Sequence, residues 1–511
     1  MFKRVVTKKP CFDNEKYLEE QTREILSRVR RFDNKLYLEF GGKICFDYHA
    51  ARVLPGYDPN VKMRLLEKLK DYAEIVITVY AKDIEHGRVR GDFGITYDLA
   101  TLKLIDDLRA WSLDVKSVVV TRFDDEPSVI KFARKLEKSD IKVYKHYNIN
   151  GYPSNVEKIV SPSGYGKNDY IETRKPIVIV TAPGPGSGKL STCLSQLYHD
   201  HKKGIKSGYA KFETFPIWNL PLDHPVNIAY EAATVDLGDF NLIDPHHLSA
   251  YGKETINYNR DVEAFPILKN IIYKITESAD SYYNSPTDMG VNRAGFGIVD
   301  DAAARMAAKE EIIRRFFRHN LEFATGSGTK KEFERAKSIM KKSGARPEDR
   351  AVVLPARSAA EDCREAGKGN KGYYCGAAIE LSDGKIVTGK NSPLMHAASS
   401  AVINAVKHLA GIGNDAHILK PEVLNDLSQL KKDILSMSSE SLNLDEILVA
   451  LSISAHADVN AKKAVAKLSD LSGCELHSTH LPTPGDEAGL RKLGINFTTD
   501  AIPSSSLFFN F

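Results

Sequence analysis

PIVIVTAPGPGSGKLSTCLSQLYHD, residues 176 to 200, decides how the chain is read. Its opening, Pro176 to Val180, is a short β-branched apolar run of the kind that makes a buried parallel strand. Its close carries Leu194, Leu197 and Tyr198 at helical spacing. Between them Gly184, Gly186 and Gly188 occupy a strand-to-helix turn, where unpaired N–H groups and the positive end of the helix dipole favour an anion.

The same alternation extends on both sides of this turn. LYLEF, EIVITVY, VKSVVVTRF and IKVYKHY read as strands, separated by the helical patterns VKMRLLEKLKDYA, LATLKLIDDLRAW and PSVIKFARKLEK. Strand–helix alternation implies right-handed crossovers and a mostly parallel sheet, with ligands beyond the carboxyl ends of its strands. After about Ser278 the pattern changes to an alanine-rich helix, DDAAARMAAKEEIIRRFFRHNLEFA. Met306, Ile313, Phe316 and Phe317 are expected near one face of it, with Arg314, Arg315 and Arg318 on a solvated one. Beyond EAGKGNKG, YYCGAAIELSDGKIVTG reads as two strands about Asp383-Gly384, LMHAASSAVINAVKHLAG as a helix, and EILVALSISA as a further strand. The expected organisation is α/β and multidomain: an α/β domain over 1–278 with the P-loop-like turn, a small helical module over 279–365, and a second α/β domain over 366–511.

Composition bounds the function classes. A chain of 511 residues suggests roughly three domains of about 150 residues. Lysine and arginine number 71 against 67 acidic residues, and a net charge of +4 argues against a dedicated nucleic-acid binder. No apolar run approaches the roughly 18 residues of a membrane span, and the N-terminus has no apolar signal core. Six cysteines without a CxxC pair indicate neither a disulfide framework nor a thiolate zinc site, so a reducing cytoplasm is expected.

The glycine turn departs from a strict P-loop. Gly188-Lys189 matches, but Pro183 replaces the first glycine and Leu190 stands where the magnesium-binding hydroxyl belongs. One residue turns a helical side chain by about 100°, so Ser191 is no simple substitute. Two readings follow: a phosphate cradle made by Gly184, Gly186, Ser187, Gly188, Lys189, Ser191 and Thr192, or a tight turn with an exposed lysine. Magnesium is left to Ser187, Thr192, Asp236 or Asp244, for which a turn or cap role is the reading preferred.

Two further loops add charged groups. SPTDMGVNRAGFG, 285–297, frames Asn292 and Arg293 with glycines, and its guanidinium fork suits a phosphate or a structural interdomain contact. FGGKICFDYHAARVLPG places Lys43, Asp47, His49 and Arg52 after a strand, as a polar site or as a locally bonded aromatic loop. In CELHSTHLP, His477 and His480 fall three apart on an extended segment and so face opposite sides, which argues against zinc.

LEFGGK, DYHAARVLPG, TAPGPGSGK and SPTDMGVNRAGFG together resemble the bacterial family called domain of unknown function 1846, over essentially the whole chain. The resemblance implies a cytoplasmic, oligomeric, multidomain α/β protein and carries no activity. More weakly, YYCGAAIELSDGKIVTGKNSPLMHAASSAVINAV resembles the opening of the three-layer cytidine-deaminase fold, but His396-Ala397-Ala398 lacks the catalytic glutamate and no Cys-x-x-Cys follows. A metal-free transferase site around His396, His456 and His477 is what that likeness implies.

The leading expectation is an enzyme of phosphoryl or other group transfer that holds ATP, GTP or another small phosphorylated ligand at the glycine turn. Lys189, Arg293, Lys43 and His49 are its candidate catalytic groups, with no metal site, no nucleic-acid partner, no membrane contact and a homo-oligomeric state expected. The alternative is a noncatalytic nucleotide-responsive binding protein.

Overall fold

A computed structural model describes residues 9–42, 44–90, 94–277, 282–437 and 439–504. The chain forms two compact units: Cys11–Tyr230 with Asp239–Ala304, and Glu231–Gly238 with Arg305–Phe511 and the N-terminal segment Met1–Pro10.

In the first unit seven strands make one sheet: β1 (Leu36–Phe40), β2 (Ala73–Tyr80), β3 (Val115–Phe123), β4 (Lys142–Tyr147), β5 (Ile177–Thr181), β6 (Gly208–Phe212) and β7 (Gly290–Val291). Their order is β7-β6-β1-β5-β2-β3-β4, and every pairing is parallel. LYLEF and IVIVT are buried at every position, which is why these central strands read as unbroken apolar runs. The connection after β1 leads toward β2, and the one after β5 leads the other way to β6. The switch point of the sheet therefore lies between β1 and β5.

Helix α1 (Lys189–Lys202) leaves the glycine turn, and its inner face is polar yet satisfied. Asp200 accepts from the Tyr37 hydroxyl at 2.8 Å and the Tyr170 hydroxyl at 3.0 Å. Gln196 donates to the Ile171 carbonyl and accepts from its N–H, both at 2.9 Å. Thr192 Oγ1 lies 3.4 Å from His146 Nδ1, and His146 Nε2 lies 3.2 Å from the Asp169 carbonyl. The carbonyl can only accept, so Nε2 carries a proton.

The second unit contains β8 (Gly376–Glu380), β9 (Ile386–Lys390), β10 (Glu475–His480) and β11 (Asn496–Ile502), in the order β9-β8-β10-β11. β8 is antiparallel to both neighbours, and β10 runs parallel to β11. Ala377 packs with Ala401 and Val402 of helix α2 (Ala397–Leu409), whereas its neighbour Ala378 packs with Val352 and Ala356 beside and in helix Val353–Glu365. Adjacent strand residues face opposite sides, so helices cover both faces and the unit has three layers. Gly389 permits this closeness, since a Cβ there would meet the Ala401 nitrogen at 2.2 Å.

Three sequence expectations are corrected in this unit and in the helix that leads into it. EILVALSISA is not a strand but lies in helix Leu444–Ser454, begun by a capping box between Asn443 and Glu446. Its buried residues, Leu444, Ile447, Ala450, Leu451 and Ser454, follow a helical period that a short apolar run conceals. Met306 is 64% exposed, off the apolar face that Ile313 and Phe317 bury. Arg314 is not solvated but buried, donating from Nη1 to Glu475 at 2.6 Å and from Nε to Glu311 at 2.8 Å.

Glu475 also receives Arg350 Nη1 at 2.6 Å, and Arg350 satisfies its remaining donors on Thr498 Oγ1 and the Leu476 and Asn496 carbonyls. Two guanidiniums thus share one buried carboxylate. Glu475→Gln leaves them without that charge and is expected to destabilise this unit by about 3–5 kcal/mol, lowering its thermal midpoint on the order of 10 °C by calorimetry. A second expectation concerns His146, whose pKa burial pulls down from 6.5 to about 4, with the Asp169 carbonyl partly compensating. The unfolded ring takes its proton before the folded one, so this contribution is whole above pH 6.5 and is lost as pH falls toward 4. Its size is about 3 kcal/mol at 1.36 kcal/mol per unit. The urea midpoint of the first unit should therefore fall less between pH 7.5 and 4.5 in His146→Gln than in the wild type.

Candidate functional site

Parallel pairing places the loop after β1 beside the loop after β5. Glu39 pairs with Val180, so Gly41 and Gly42 follow β1 next to residues 182–188. β6 aligns Phe40 with Phe212, and β7 aligns Val291 with Phe212. The three glycine-containing segments singled out in the sequence therefore leave one edge of one sheet.

The glycine turn has a definite geometry. Gly186 and Gly188 adopt φ of 69° and 87°, and Gly188 caps the 14-residue helix α1 without any side-chain cap. A Cβ at Gly188 would meet Thr121 at 2.9 Å, whereas Gly186 faces open space. Ser187 points inward: its hydroxyl accepts from Thr78 at 3.1 Å and its carbonyl from Thr121 Oγ1 at 2.8 Å. The Gly186 carbonyl accepts from Arg122 Nη2 at 2.5 Å, and the Arg122 guanidinium lies 3.4 Å from the Tyr80 ring centroid. In contrast, the backbone N–H groups of Gly186, Gly188, Lys189, Leu190 and Ser191 find no acceptor among the described residues. Lys189, partly exposed, makes no ion pair among them.

Around the turn lie groups that sequence reasoning missed. Glu39 is buried at the end of β1 and accepts from the Tyr209 hydroxyl at 2.8 Å. Burial pushes the Cys193 thiol well up, the Glu39 charge adds to this, and Lys189 opposes it. Tyr152, from the loop after β4, is raised by burial and then by Glu39, with Ser191 and Arg122 pulling the other way. At the end of β6, half-buried Lys211 pairs with Glu213 at 2.7 Å and Asp261 at 2.6 Å, and the Tyr258 hydroxyl donates to Glu213 at 3.0 Å. Burial raises the Glu213 carboxyl, and Lys211 partly offsets it. The available signal was the pair of charges two apart in KFE, which a buried strand carries only with partners.

The expected site residues divide accordingly. Gly184, Gly186, Gly188, Lys189 and Ser191 stand at the turn, where Gly184 abuts the Tyr97 ring. Ser187 and Thr192 are buried and occupied by Thr78 and His146. Arg293 follows β7, three strand spacings from β5 or on the order of 14 Å, and pairs with Glu24 of helix Asn14–Arg31. His49 lies in the short helix Tyr48–Val53, edge-on to Phe215 with ring centroids 5.6 Å apart. Lys43 lies outside the described residues. Asp244 is a helix cap that accepts from His246 and His247 N–H, and Asp236 lies in the other unit.

The C-terminal histidines do not form one group. His477 is buried on one face of β10 against Phe317 and Thr498, while His480 is on the other. His456 ends helix Leu444–Ser454 beside the Ser452 carbonyl, and His396 is the N-cap residue of α2. Among the described residues no set of three His, Cys, Asp or Glu side chains is placed to hold a metal ion, and no helix is long and apolar enough to cross a membrane.

Comparison with known proteins covers both units. The model described as domain of unknown function DUF1846, N-terminal, matches residues 10–344, and the corresponding C-terminal model matches 348–509. A UPF0371 protein of Clostridium botulinum strain Eklund 17B is 55% identical over 501 residues, covering 98% of this chain and 99% of that one. A UPF0371 protein of Clostridioides difficile strain 630 is 54% identical with the same coverage. With both family models matched in chain order and relatives aligned almost end to end, the chain belongs to the DUF1846, or UPF0371, family.

Proposed function

We propose that the carboxyl edge of the seven-stranded sheet binds a nucleotide or another phosphorylated metabolite at residues 184–191 and carries out group transfer on it. The observation that supports this is that the N–H groups of Gly186, Gly188, Lys189, Leu190 and Ser191 lack an acceptor among the described residues while nearly every side chain around them has a partner. Unmet donors at the start of a 14-residue helix attract an anion twice, by hydrogen bonding and by the helix dipole. Lys189 supplies a mobile positive charge, and Arg122, exposed and held against the loop, supplies a second. Arg293, paired with Glu24 on the far strand, has a structural role in this reading. With Ser187 and Thr192 turned inward, magnesium would reach the site through the ligand's own phosphates.

Isothermal titration with ATP, GTP, pyrophosphate and inorganic phosphate, with and without magnesium, tests the reading. Lys189→Ala should weaken the tightest of these by about 10- to 100-fold, the cost of about 1.5–3 kcal/mol for a charged hydrogen bond. Lys189→Pro removes the charge and one N–H together, at a first-turn position that tolerates proline, and should weaken it further. Absence of binding to the wild type, or equal affinity in Lys189→Pro, overturns the assignment. Binding without release or transfer of phosphate in the presence of a metabolite extract identifies a nucleotide-responsive binding protein in place of an enzyme.

A further inference from the structure

The second unit encloses a cavity of about 230 Å³, bounded by the start of α2, the end of β10 and the segment that follows it. Cys375, His396, Ala397, Ser478, His480 and Asp486 are among its lining residues. The central feature is a dyad: His396 Nδ1 lies 2.7 Å from Asp486 Oδ2. Asp486 is buried and has no proton to give. Burial works against its charge, but His396, Thr483 and the Leu444 N–H hold its carboxyl below the usual range. Nδ1–H is therefore the donor, and in the neutral imidazole Nε2 is then the acceptor. Nε2 has no hydrogen-bond partner among the described residues, and the His396 side chain is 24% exposed.

A second feature faces the same space. Helix α2 has 13 residues and no side-chain cap, and among the described residues the only backbone N–H of its first turn with an acceptor outside α2 is that of Ser400, bonded to the His396 carbonyl. The N–H groups of Ala397 and Ala398 find no acceptor among the described residues, and both residues line the cavity. A proton acceptor and a pair of oxyanion donors thus border one small polar space. Three of the lining hydroxyl and thiol groups are engaged or held protonated. Ser441 donates to the Ser392 carbonyl at 3.0 Å, Ser478 donates to the His480 carbonyl at 3.2 Å, and burial holds Cys375 as a thiol with its pKa pushed up to about 12. With those three groups unavailable, the proposed step has the base act on water.

We propose that this cavity is a hydrolytic site for small carboxylic esters, in which His396 is the general base and Asp486 the positioning residue. The oxygen of a water molecule forms a bond to the ester carbonyl carbon as its proton passes to His396 Nε2. The carbonyl electron pair moves to oxygen, and the N–H groups of Ala397 and Ala398 accept that charge. Collapse breaks the bond to the alcohol oxygen, which takes the proton back from Nε2, so ester and water become acid and alcohol. The cavity is below the roughly 300 Å³ at which drug-sized sites begin, which selects short acyl groups. Nothing in this step involves the glycine turn of the other unit.

Hydrolysis of p-nitrophenyl acetate by the full chain tests it. The wild type should show saturable turnover, and His396→Gln should lose about 10²- to 10⁴-fold in kcat with an unchanged melting temperature. Asp486→Asn should lower kcat with KM held, and shift the His396 imidazole ¹⁵N signature away from the Nδ1–H tautomer. Hydrolysis that does not saturate, or a His396→Gln protein with wild-type kcat/KM, overturns the proposal. Unchanged kcat and tautomer in Asp486→Asn overturn the positioning role. If that variant fails to fold, the His396→Gln measurement decides the proposal alone.

Discussion

The site in the first unit depends on one constraint: parallel strands cannot be joined by tight turns. Each connection must travel back across a face of the sheet, so every strand begins at one edge and ends at the other. Seven strands obey this without exception, and β1, β5, β6 and β7, spread from Leu36 to Val291, all release their chains on the same side. Where successive connections leave in opposite directions, between β1 and β5, no crossover helix closes the gap. Segments far apart in sequence become neighbours there by topology alone.

What makes that edge chemically distinctive is the contrast between its filled and unfilled hydrogen bonds. Asp200, Gln196, Thr192 and Ser195 fasten α1 to the strands and loops beneath it, so the helix start is held in place. Thr78 and Thr121 hold Ser187 from below, which presses the turn into its left-handed glycine conformations. In the proposed reading, a loop fixed so completely by its side chains, yet left with open backbone donors, is preorganised for an anion. Part of the ordering entropy that a ligand would otherwise have to supply is already spent in folding.

Much of this was legible in the sequence, and the reasons for the rest are physical. LYLEF and PIVIV announce buried strands because both faces are covered, and the three glycines announce the turn because left-handed backbone favours them. The partners of Arg314 were not legible: a charged residue on an amphipathic helix looks solvated until a strand 161 residues later brings Glu475 to meet it. EILVALSISA failed for a different reason, since ten apolar-rich residues satisfy both periods and only the Asn443–Glu446 cap breaks the tie. Glu39 and Lys211 face each other across β1 and β6, and only strand register reveals such a pair. The expectation that His477 and His480 diverge succeeded because it rested on strand geometry rather than on composition.

The second unit uses buried carboxylates in two opposed ways. Glu475 is closed: Arg314, Arg350 and Asn496 take up its lone pairs. Asp486 is closed on three sides, by Thr483, the Leu444 N–H and the capping of its own helix, but its fourth partner is an imidazole that passes the effect outward. Guanidinium cannot release a proton near neutral pH, whereas imidazole exchanges one readily, so an arginine ends an electrostatic chain and a histidine extends it. Stability alone would be served as well by an arginine or a lysine beside Asp486. A histidine there, lining a cavity that Ala397 and Ala398 also line, is the arrangement that the proposed hydrolysis requires.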